Sequence, residues 1–222
     1  SAHARLSASA ASRWMACPGS VPLTEALISR GAIPAMTSSA AADEGTAAHL
    51  VVEMCLRQLP HQWDIMADRY ARHIVRVESM GSGVHMLPPS GATDPLPDGW
   101  SEYTVDDDMI YATNTMIRHV REVLISMGAS SQGIPPDVVL EVEHQVDLTH
   151  LGSDDLGGTL DVRISQLMGS VHIIDYKHGR GVPVQAKRNS QLMVYALSDD
   201  CCNHMAPADV NITIVQPRCP GK

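Results

Sequence analysis

The stretch "GGTLDVRISQLMGSVHIIDYKHGRG", Gly157–Gly181, decides the fold prediction. It contains two runs rich in Val and Ile, "TLDVRIS" (159–165) and "VHIIDYK" (171–177), with a glycine between them. β-branched residues bounded by turn residues are typical of paired strands. The sequence therefore predicts a β-hairpin that turns near Met168–Gly169.

Two acids and a lysine fall at the open end of this hairpin. Alternate residues of a strand share a face, so Asp175 and Lys177 point the same way. A turn near Met168–Gly169 places Asp161 almost opposite Tyr176, with an uncertainty of one residue in register, and so within reach of that pair.

The acids and the lysine predict a cation site that handles phosphate. Two carboxylates at one place repel each other unless a cation lies between them, and Mg²⁺ or Mn²⁺ takes carboxylate oxygens readily. A lysine beside such an ion can stabilise charge on a phosphate or help activate a water. A surface ion-pair cluster is the alternative, but the buried-type run "VHIIDYK" favours a functional site.

Composition limits the class of protein. The chain has 222 residues, of which 44% are apolar and 18% charged. This is enough for one sizeable α/β domain or two small ones, and it argues against global disorder. No apolar run approaches the roughly 20 residues that span a bilayer, and the first segment has no secretory h-region, so we expect no membrane partner. An odd count of five cysteines fits a reducing, cytoplasmic setting.

The formal net charge of −9 argues against nonspecific nucleic-acid binding by the whole surface. One window is nevertheless cationic. Between Tyr176 and Ser198 the sequence has Lys177, Arg180, Lys187 and Arg188 and no acid. It is either an ordinary solvated helix face or, given its place beside the acids, a track for phosphate contacts, which we favour.

Periodicity and breakers predict a mixed α/β chain, with a helical half over 1–135 and a sheet core over 136–222. A Gly/Pro-rich loop or insertion is expected at 81–100. The helices are expected near 6–16, 21–30, 39–59, 64–79, 104–127 and 183–198. The strands are expected at 138–148, 159–165, 171–177 and 210–217, the last of them buried.

Together, "GTLDVR" and "HIIDYKHGRG" resemble the core motif of the PD-(D/E)XK nuclease superfamily. More narrowly the chain is similar to the RecB-like branch, which includes AddAB-type nucleases and phage recombination exonucleases, and most of all to uncharacterised phage or prophage RecB-like proteins. Three further stretches match that branch in order: "SASAASRWMACPGS" (7–20), "EGTAAH" (44–49) and "QLMVY" (191–195). The matched elements span about residues 7–217.

The resemblance implies a restriction-endonuclease-like fold over residues 1–222, with a mixed central sheet flanked by helices. It implies Mg²⁺ or Mn²⁺ held by His49, Asp161, Asp175 and the backbone carbonyl of Tyr176. Lys177 would help activate the attacking water. Gln191 and Tyr195 would orient Lys177 or the scissile phosphate.

Other acids lie near these residues in the sequence. Glu53 lies one helical turn after His49 and would support it as a hydrogen-bond partner. Glu141 and Glu143 alternate on the strand before the hairpin, and either one reaches the site, with Glu143 preferred, or both are solvated edge residues. Glu44 is explained as an acid near a helix start, where the helix dipole favours it.

The implied function is a metal-dependent deoxyribonuclease, an exonuclease in phage DNA recombination or replication in the bacterial cytoplasm. Its partners would be linear duplex or single-stranded DNA, contacted by Arg180, Lys187 and Arg188, and a phage single-strand-annealing or single-strand-binding protein; a homo-oligomer is compatible. The alternatives are a non-catalytic DNA- or partner-binding module of the same fold, and an enzyme acting on RNA or on a small phosphoester.

Some RecB-like relatives hold a [4Fe–4S] cluster through one N-terminal and three C-terminal cysteines. Cys17 lies where the first ligand would be, but Cys201, Cys202 and Cys219 depart from the expected spacing. We therefore expect buried or incidental thiols and no cluster.

Overall fold

The computed structural model describes residues 4–34, 38–79, 81–91, 93–198 and 209–219. These ranges contain both helices and strands, which confirms the mixed α/β class. The five α-helices are α1 (Ala11–Ala16), α2 (Ser20–Ser29), α3 (Ala40–Gln58), α4 (Asp107–Ser126) and α5 (Ser190–Ala196). The strands are β1 (Leu6–Ser7), β2 (Ile74–Glu78), β3 (Val84–Leu87), β4 (Trp100–Thr104), β5 (Val138–Gln145), β6 (Leu156–Gly157), β7 (Thr159–Gln166), β8 (Ser170–Tyr176) and β9 (Asp209–Val215).

The predicted hairpin is formed by β7 and β8, which pair antiparallel from Val162 opposite Ile174 to Ser165 opposite Val171. Three residues connect the strands, and Met168 among them has φ +56°. The hairpin occupies the middle of a four-stranded sheet with the order β5-β7-β8-β9. Its alternating and β-branched residues are buried on both faces over much of its length, as expected for central strands.

The chain divides into two compact units, each assembled from segments distant in sequence. The first comprises Ser1–Met36, Val139–Asp175 and Gln185–Thr213; the second comprises Thr37–Val138, Tyr176–Val184 and Ile214–Lys222. A single nuclease domain over residues 1–222 stays a prediction.

In the first unit the N-terminal segment joins the hairpin region by strand pairing. β1 runs parallel to β6, with Leu6 opposite Leu156 and Ser7 opposite Gly157. The predicted helix over 6–16 therefore begins as a strand, and its α-helical part starts only at Ala11. This strand pairing competes with the helix that the local Ser/Ala composition favours.

In the second unit, α3 and α4 accompany an antiparallel sheet with the order β3-β2-β4. Both helices begin at capping side chains: Ser39 accepts a hydrogen bond from the amide of Ala42, and Asp106 accepts one from Met109. The apolar stripe of α4 is buried at Met109, Thr113, Met116, Ile117, Val120 and Leu124, while Ile110 is half-buried. The helices predicted at 21–30, 39–59 and 104–127 are confirmed as α2, α3 and α4.

The structure also corrects the predictions for 64–79, 81–100 and the last strand. Residues 64–79 are not helical: a 3-10 turn at Ala67–Tyr70 precedes β2, whose Val75 and Val77 are buried. The predicted loop at 81–100 contains β3, which pairs with β2. β9 is a strand, but only Val215 in it is buried because β9 lies at an end of the four-stranded order.

Candidate functional site

Asp161 and Asp175 face each other across the hairpin. The register of β7 and β8, continued by one residue beyond the Val162–Ile174 pair, sets Asp161 opposite Asp175. This register differs by one residue from the predicted one, in which Asp161 lies opposite Tyr176. Directly opposed residues share a face and lie about 4.5–5.5 Å apart at Cβ. Asp175 is only 3% exposed and Asp161 is half-buried, so this pair of acids is partly buried in the first unit.

Glu143 brings a third acid to the same place. A carboxylate oxygen of Glu143 lies within 4.8 Å of one of Asp161. Glu143 has φ +48°, a left-handed conformation inside β5 that costs a non-glycine residue free energy. Such backbone features recur where a strand re-aims a side chain next to a functional site. We call Glu143, Asp161 and Asp175 the carboxylate cluster.

Glu141 has a different role from Glu143. Its Oε2 accepts a short hydrogen bond from Nε of Arg163, which is 3% exposed, and its Oε1 lies 3.4 Å from Nδ1 of His144. Solvation at a sheet edge therefore does not describe Glu141: it neutralises a buried arginine of β7.

Gln191 and Tyr195 of α5 attach to the carboxylate cluster. Gln191 Nε2 donates to Asp175 Oδ1 at 3.2 Å and lies 3.4 Å from the Tyr195 hydroxyl, which donates to the carbonyl oxygen of Thr159 at 2.8 Å. Asn189 caps α5 by accepting from the amide of Leu192, which fixes where the helix begins. The structure thus places Gln191 on an acid of the cluster; the predicted contact with Lys177 or a phosphate stays a prediction.

The pKa of Tyr195 reports the same convergence of charge. Burial raises it to about 12, the Gln191 hydrogen bond acts against that rise, and the negative charges of Asp161, Asp175 and Glu143 add to it. The Tyr195 hydroxyl therefore stays protonated at neutral pH and can donate.

Gly158 makes room for Tyr195. A Cβ on Gly158 would lie 2.9 Å from Tyr195 Cε1, 3.1 Å from its hydroxyl oxygen and 3.2 Å from Cβ of Ala8. Any side chain at this position would push the tyrosine away, so Gly158 is required for the packing of α5 beside β7.

The remaining predicted metal and catalytic residues belong to the second unit. His49 of α3 packs its ring edge-on against that of Tyr176, with centroids 5.3 Å apart. Tyr176 is fully buried, which raises the pKa of its hydroxyl. The amide of Lys177 donates to the carbonyl oxygen of Val215 at 2.9 Å, which fixes the backbone just after β8. Glu53 accepts from Arg57 at 2.7 Å, and its predicted support of His49 stays a prediction.

The predicted basic helix is wrong as a helix. Lys187 and Arg188 precede α5 and are exposed, and Arg188 has φ +57°, which no α-helix accommodates. Arg180 is exposed and pairs with Asp108, which lies in the first turn of α4. DNA contacts by these three residues stay a prediction.

Sequence reasoning missed a network in the second unit. Glu44, predicted only as an acid near a helix start, accepts from Arg218 Nη1 at 2.8 Å, and the same oxygen lies 3.4 Å from His178 Nε2. His178 Nδ1 lies 2.7 Å from the Tyr176 hydroxyl. The available signal was His178, which directly follows the D-x-K motif formed by Asp175, Tyr176 and Lys177. It was overlooked because this stretch was interpreted only as the end of a strand.

The cysteines show no common site among the described residues. Cys17 is exposed in the first unit, and Cys219 of the second is half-buried with its Sγ 3.7 Å from the Gly181 carbonyl oxygen. Cys201 and Cys202 lie outside the described residues.

Fold and site together define a mixed α/β protein with a partly buried carboxylate cluster beside a Gln–Tyr pair. The chain belongs to the family described as "Protein of unknown function (DUF2800)", which matches residues 3–221. No solved structure matches the chain. Among the described residues, no helix is both long enough and apolar enough to cross a membrane.

Proposed function

We propose that this protein is a divalent-metal-dependent nuclease with a restriction-endonuclease-like, RecB-like core. The observation that supports this most directly is the convergence of Glu143, Asp161 and Asp175 around Tyr195 within the first unit. Three acids that gather at a partly buried place, with a strained backbone at one of them, are unfavourable without a cation.

The donor set fits Mg²⁺ or Mn²⁺. Both are hard ions that take carboxylate oxygens, and the 4.8 Å limit on the Glu143–Asp161 oxygen separation is compatible with one ion bound at about 2.0–2.2 Å after a small side-chain adjustment. Bound there, the cation would neutralise the phosphate and lower the pKa of the attacking water. The resemblance adds His49 and the Tyr176 carbonyl as ligands.

The surrounding side chains have separate tasks in this proposal. Gln191 holds the carboxylate of Asp175 by donating a hydrogen bond to Oδ1. Tyr195 fixes the backbone of β7 two residues before Asp161. Lys177 would donate to the phosphate and take part in moving the proton of the attacking water.

DNA is the proposed substrate, and a 5′- or 3′-end the proposed point of attack, in phage recombination or replication in the bacterial cytoplasm. Both rest on the resemblance. The exposed Lys187 and Arg188 would bind phosphates without reading sequence. A phage single-strand-annealing or single-strand-binding protein is the proposed partner.

The test is cleavage of end-labelled linear duplex, linear single strand and closed circular DNA, each with Mn²⁺, Mg²⁺ or EDTA. The variants are Asp161→Asn, Asp175→Asn and Lys177→Ala, and the matched control is Asp64→Asn, which replaces an exposed acid of the second unit. We expect digestion of linear DNA that needs the metal, is lost in the three site variants and persists in the control.

The outcomes separate the alternatives. Survival of closed circles identifies an exonuclease. Binding of DNA without cleavage under every metal condition contradicts the enzyme and supports a DNA-binding module, whereas cleavage of RNA alone replaces the substrate while keeping the site.

A further inference from the structure

The segment Tyr176–His178, which follows Asp175, is anchored on both of its buried side chains. Tyr176 is fully buried and His178 is 4% exposed, and the Tyr176 hydroxyl lies 2.7 Å from His178 Nδ1. Lys177 sits between these anchors and is itself only half-buried. Its amide is held by the carbonyl oxygen of Val215 at 2.9 Å. The position of Lys177 is therefore set by its two neighbours.

Glu44 and Arg218 hold His178 through its ring and its backbone. Glu44 Oε1 lies 3.4 Å from His178 Nε2 and accepts from Arg218 Nη1 at 2.8 Å. Arg218 Nη1 also lies 3.4 Å from the carbonyl oxygen of His178, and its Nε lies 2.9 Å from Asp108 Oδ2. The Arg218 side chain is only 8% exposed, so water screens these contacts weakly.

The protonation of His178 fits this arrangement. Burial, with Arg218 acting in the same direction, lowers the pKa of His178 to about 4. The ring is neutral at pH 7, so Tyr176 donates to Nδ1 while Nε2–H faces Glu44.

α3 is the element to which this segment is docked. Glu44 and His49 both belong to α3, and they meet His178 and Tyr176 respectively. Two points of attachment on one helix fix the segment against rotation as well as translation. The loss of either point would let Lys177 move relative to His49.

We infer that Glu44, His178 and Arg218 are positioning residues that hold Lys177 and His49 in fixed relation for phosphodiester hydrolysis. This inference rests on the proposed function. It assigns to Glu44 and Arg218, 174 residues apart in sequence, a joint role that neither the metal ligands nor the D-x-K motif supplies.

The experiment compares Glu44→Gln and Arg218→Gln with Arg57→Gln. Arg57 makes an exposed ion pair on the same helix, so its loss controls for a charge removed from the second unit. Steady-state cleavage of linear DNA with Mn²⁺ gives kcat and KM, and DNA-binding stoichiometry in Ca²⁺ counts folded sites. Amide hydrogen exchange of residues 176–178 measures how firmly this segment is held, independently of catalysis.

We expect kcat per folded site to fall by roughly 10- to 100-fold in both variants, as misplacement of a catalytic group by about 1 Å does. KM for DNA should keep its wild-type value, amide exchange at 176–178 should accelerate, and Arg218→Lys should restore part of kcat. Arg57→Gln should match the wild type in all of these.

Two results are decisive against the inference. If wild-type protein cleaves DNA and both variants keep its kcat per folded site, the positioning role is wrong while the nuclease stands. If wild-type protein does not cleave under any metal condition, the proposed function fails, and the positioning role fails with it.

Discussion

At the scale of single residues, the site depends on Gly158, because there is no room for a side chain at this position. Gly158 lies between Tyr195 and Ala8, with too little space for a Cβ. Gly158→Ala should push Tyr195 from the Thr159 carbonyl oxygen and, through Gln191, loosen Asp175. Overpacking of this kind destabilises by about 1–3 kcal/mol, and misplacement should lower nuclease kcat by roughly 10- to 100-fold.

Gly179→Ala is the matched control for that change. No heavy atom of the described residues lies within 4 Å of a Cβ at Gly179, and its φ lies outside the left-handed range. Urea denaturation and cleavage assays of both variants make the comparison. Wild-type kcat in Gly158→Ala would show that Tyr195 does not need this packing.

Residue identities at the site were largely predictable, but their partners were not. The predicted hairpin turn set Asp161 within reach of Asp175, yet the register differs by one residue because three residues connect the strands and centre the turn on Met168. The hydrogen bond from Gln191 to Asp175 was not expected, while the predicted role of Gln191 toward Lys177 or the scissile phosphate stays a prediction. A sequence gives the face on which a side chain lies, whereas its hydrogen-bond partner depends on chain segments far away.

At the scale of elements, Asp43 ties α3 to the sheet of the second unit. It is 3% exposed and accepts hydrogen bonds from Ser38, Ser79 and Ser101, the last two at 2.6 and 3.3 Å. These bonds, with that of Ser38 foremost, lower the pKa of the Asp43 carboxyl. Asp43→Asn should therefore destabilise by about 2 kcal/mol at pH 7, the scale of hydrogen bonds to a charged group.

The pH dependence of this effect has a definite sign. A carboxyl whose pKa is lower in the folded state stabilises fully above its unfolded pKa of about 3.9 and loses that contribution as the pH falls through the folded value. The difference between wild type and Asp43→Asn should thus be constant from pH 7 to 5 and shrink below about pH 4. Urea midpoints over this range test it, with Asp64→Asn as an exposed control; a difference independent of pH would contradict the charge-based explanation.

The buried Arg163–Glu141 ion pair ties β7 to β5. Arg163 is 3% exposed and also lies 3.4 Å from the hydroxyl of Ser198. Glu141→Gln should destabilise by about 3–5 kcal/mol because a buried arginine loses a charged partner. The double variant Glu141→Gln/Arg163→Met should be less destabilised than the single one, and denaturant unfolding of all three tests this; additive losses would contradict a direct pair.

Elements with strong local signals were predictable, and those set by distant partners were not. α4 forms where a helix was predicted because its apolar side chains share one face, and Asp106 caps its first turn. Residues 64–79 carry apolar side chains that suit a helix, but β2 forms because β3 and β4 pair with it on both sides. The start of α5 was recoverable, since Asn189 is a typical N-cap residue.

At the scale of the whole molecule, composition predicted the α/β class but could not show how the chain divides. Each unit draws on three segments, and the division falls between Asp175 and Tyr176, inside a single strand. The D-x-K motif therefore contributes its aspartate to one unit and its lysine to the other. No local pattern marks such a boundary, because the strand is continuous and buried on both sides of it.

The net charge of the chain limits how many phosphates it can neutralise when it binds nucleic acid. With a formal charge of −9, the surface outside the cationic window should repel a duplex, so few phosphates should be neutralised. If Lys187, Arg188 and Arg180 make the contacts, log K should fall with log[salt] at a slope of roughly −2 to −3, near −0.9 for each phosphate. Because Arg180 is paired with Asp108, a value at the shallow end is expected.

Fluorescence anisotropy with a short labelled duplex in Ca²⁺ measures this slope from low to moderate salt. Lys187→Ala and Arg188→Ala should each make it shallower by about 1, uniformly over DNA sequences. Arg30→Ala, which removes an exposed arginine outside the window, should leave it unchanged. A slope near −6 that survives all these changes would mean that another surface binds the backbone, since three cations cannot release that many counterions.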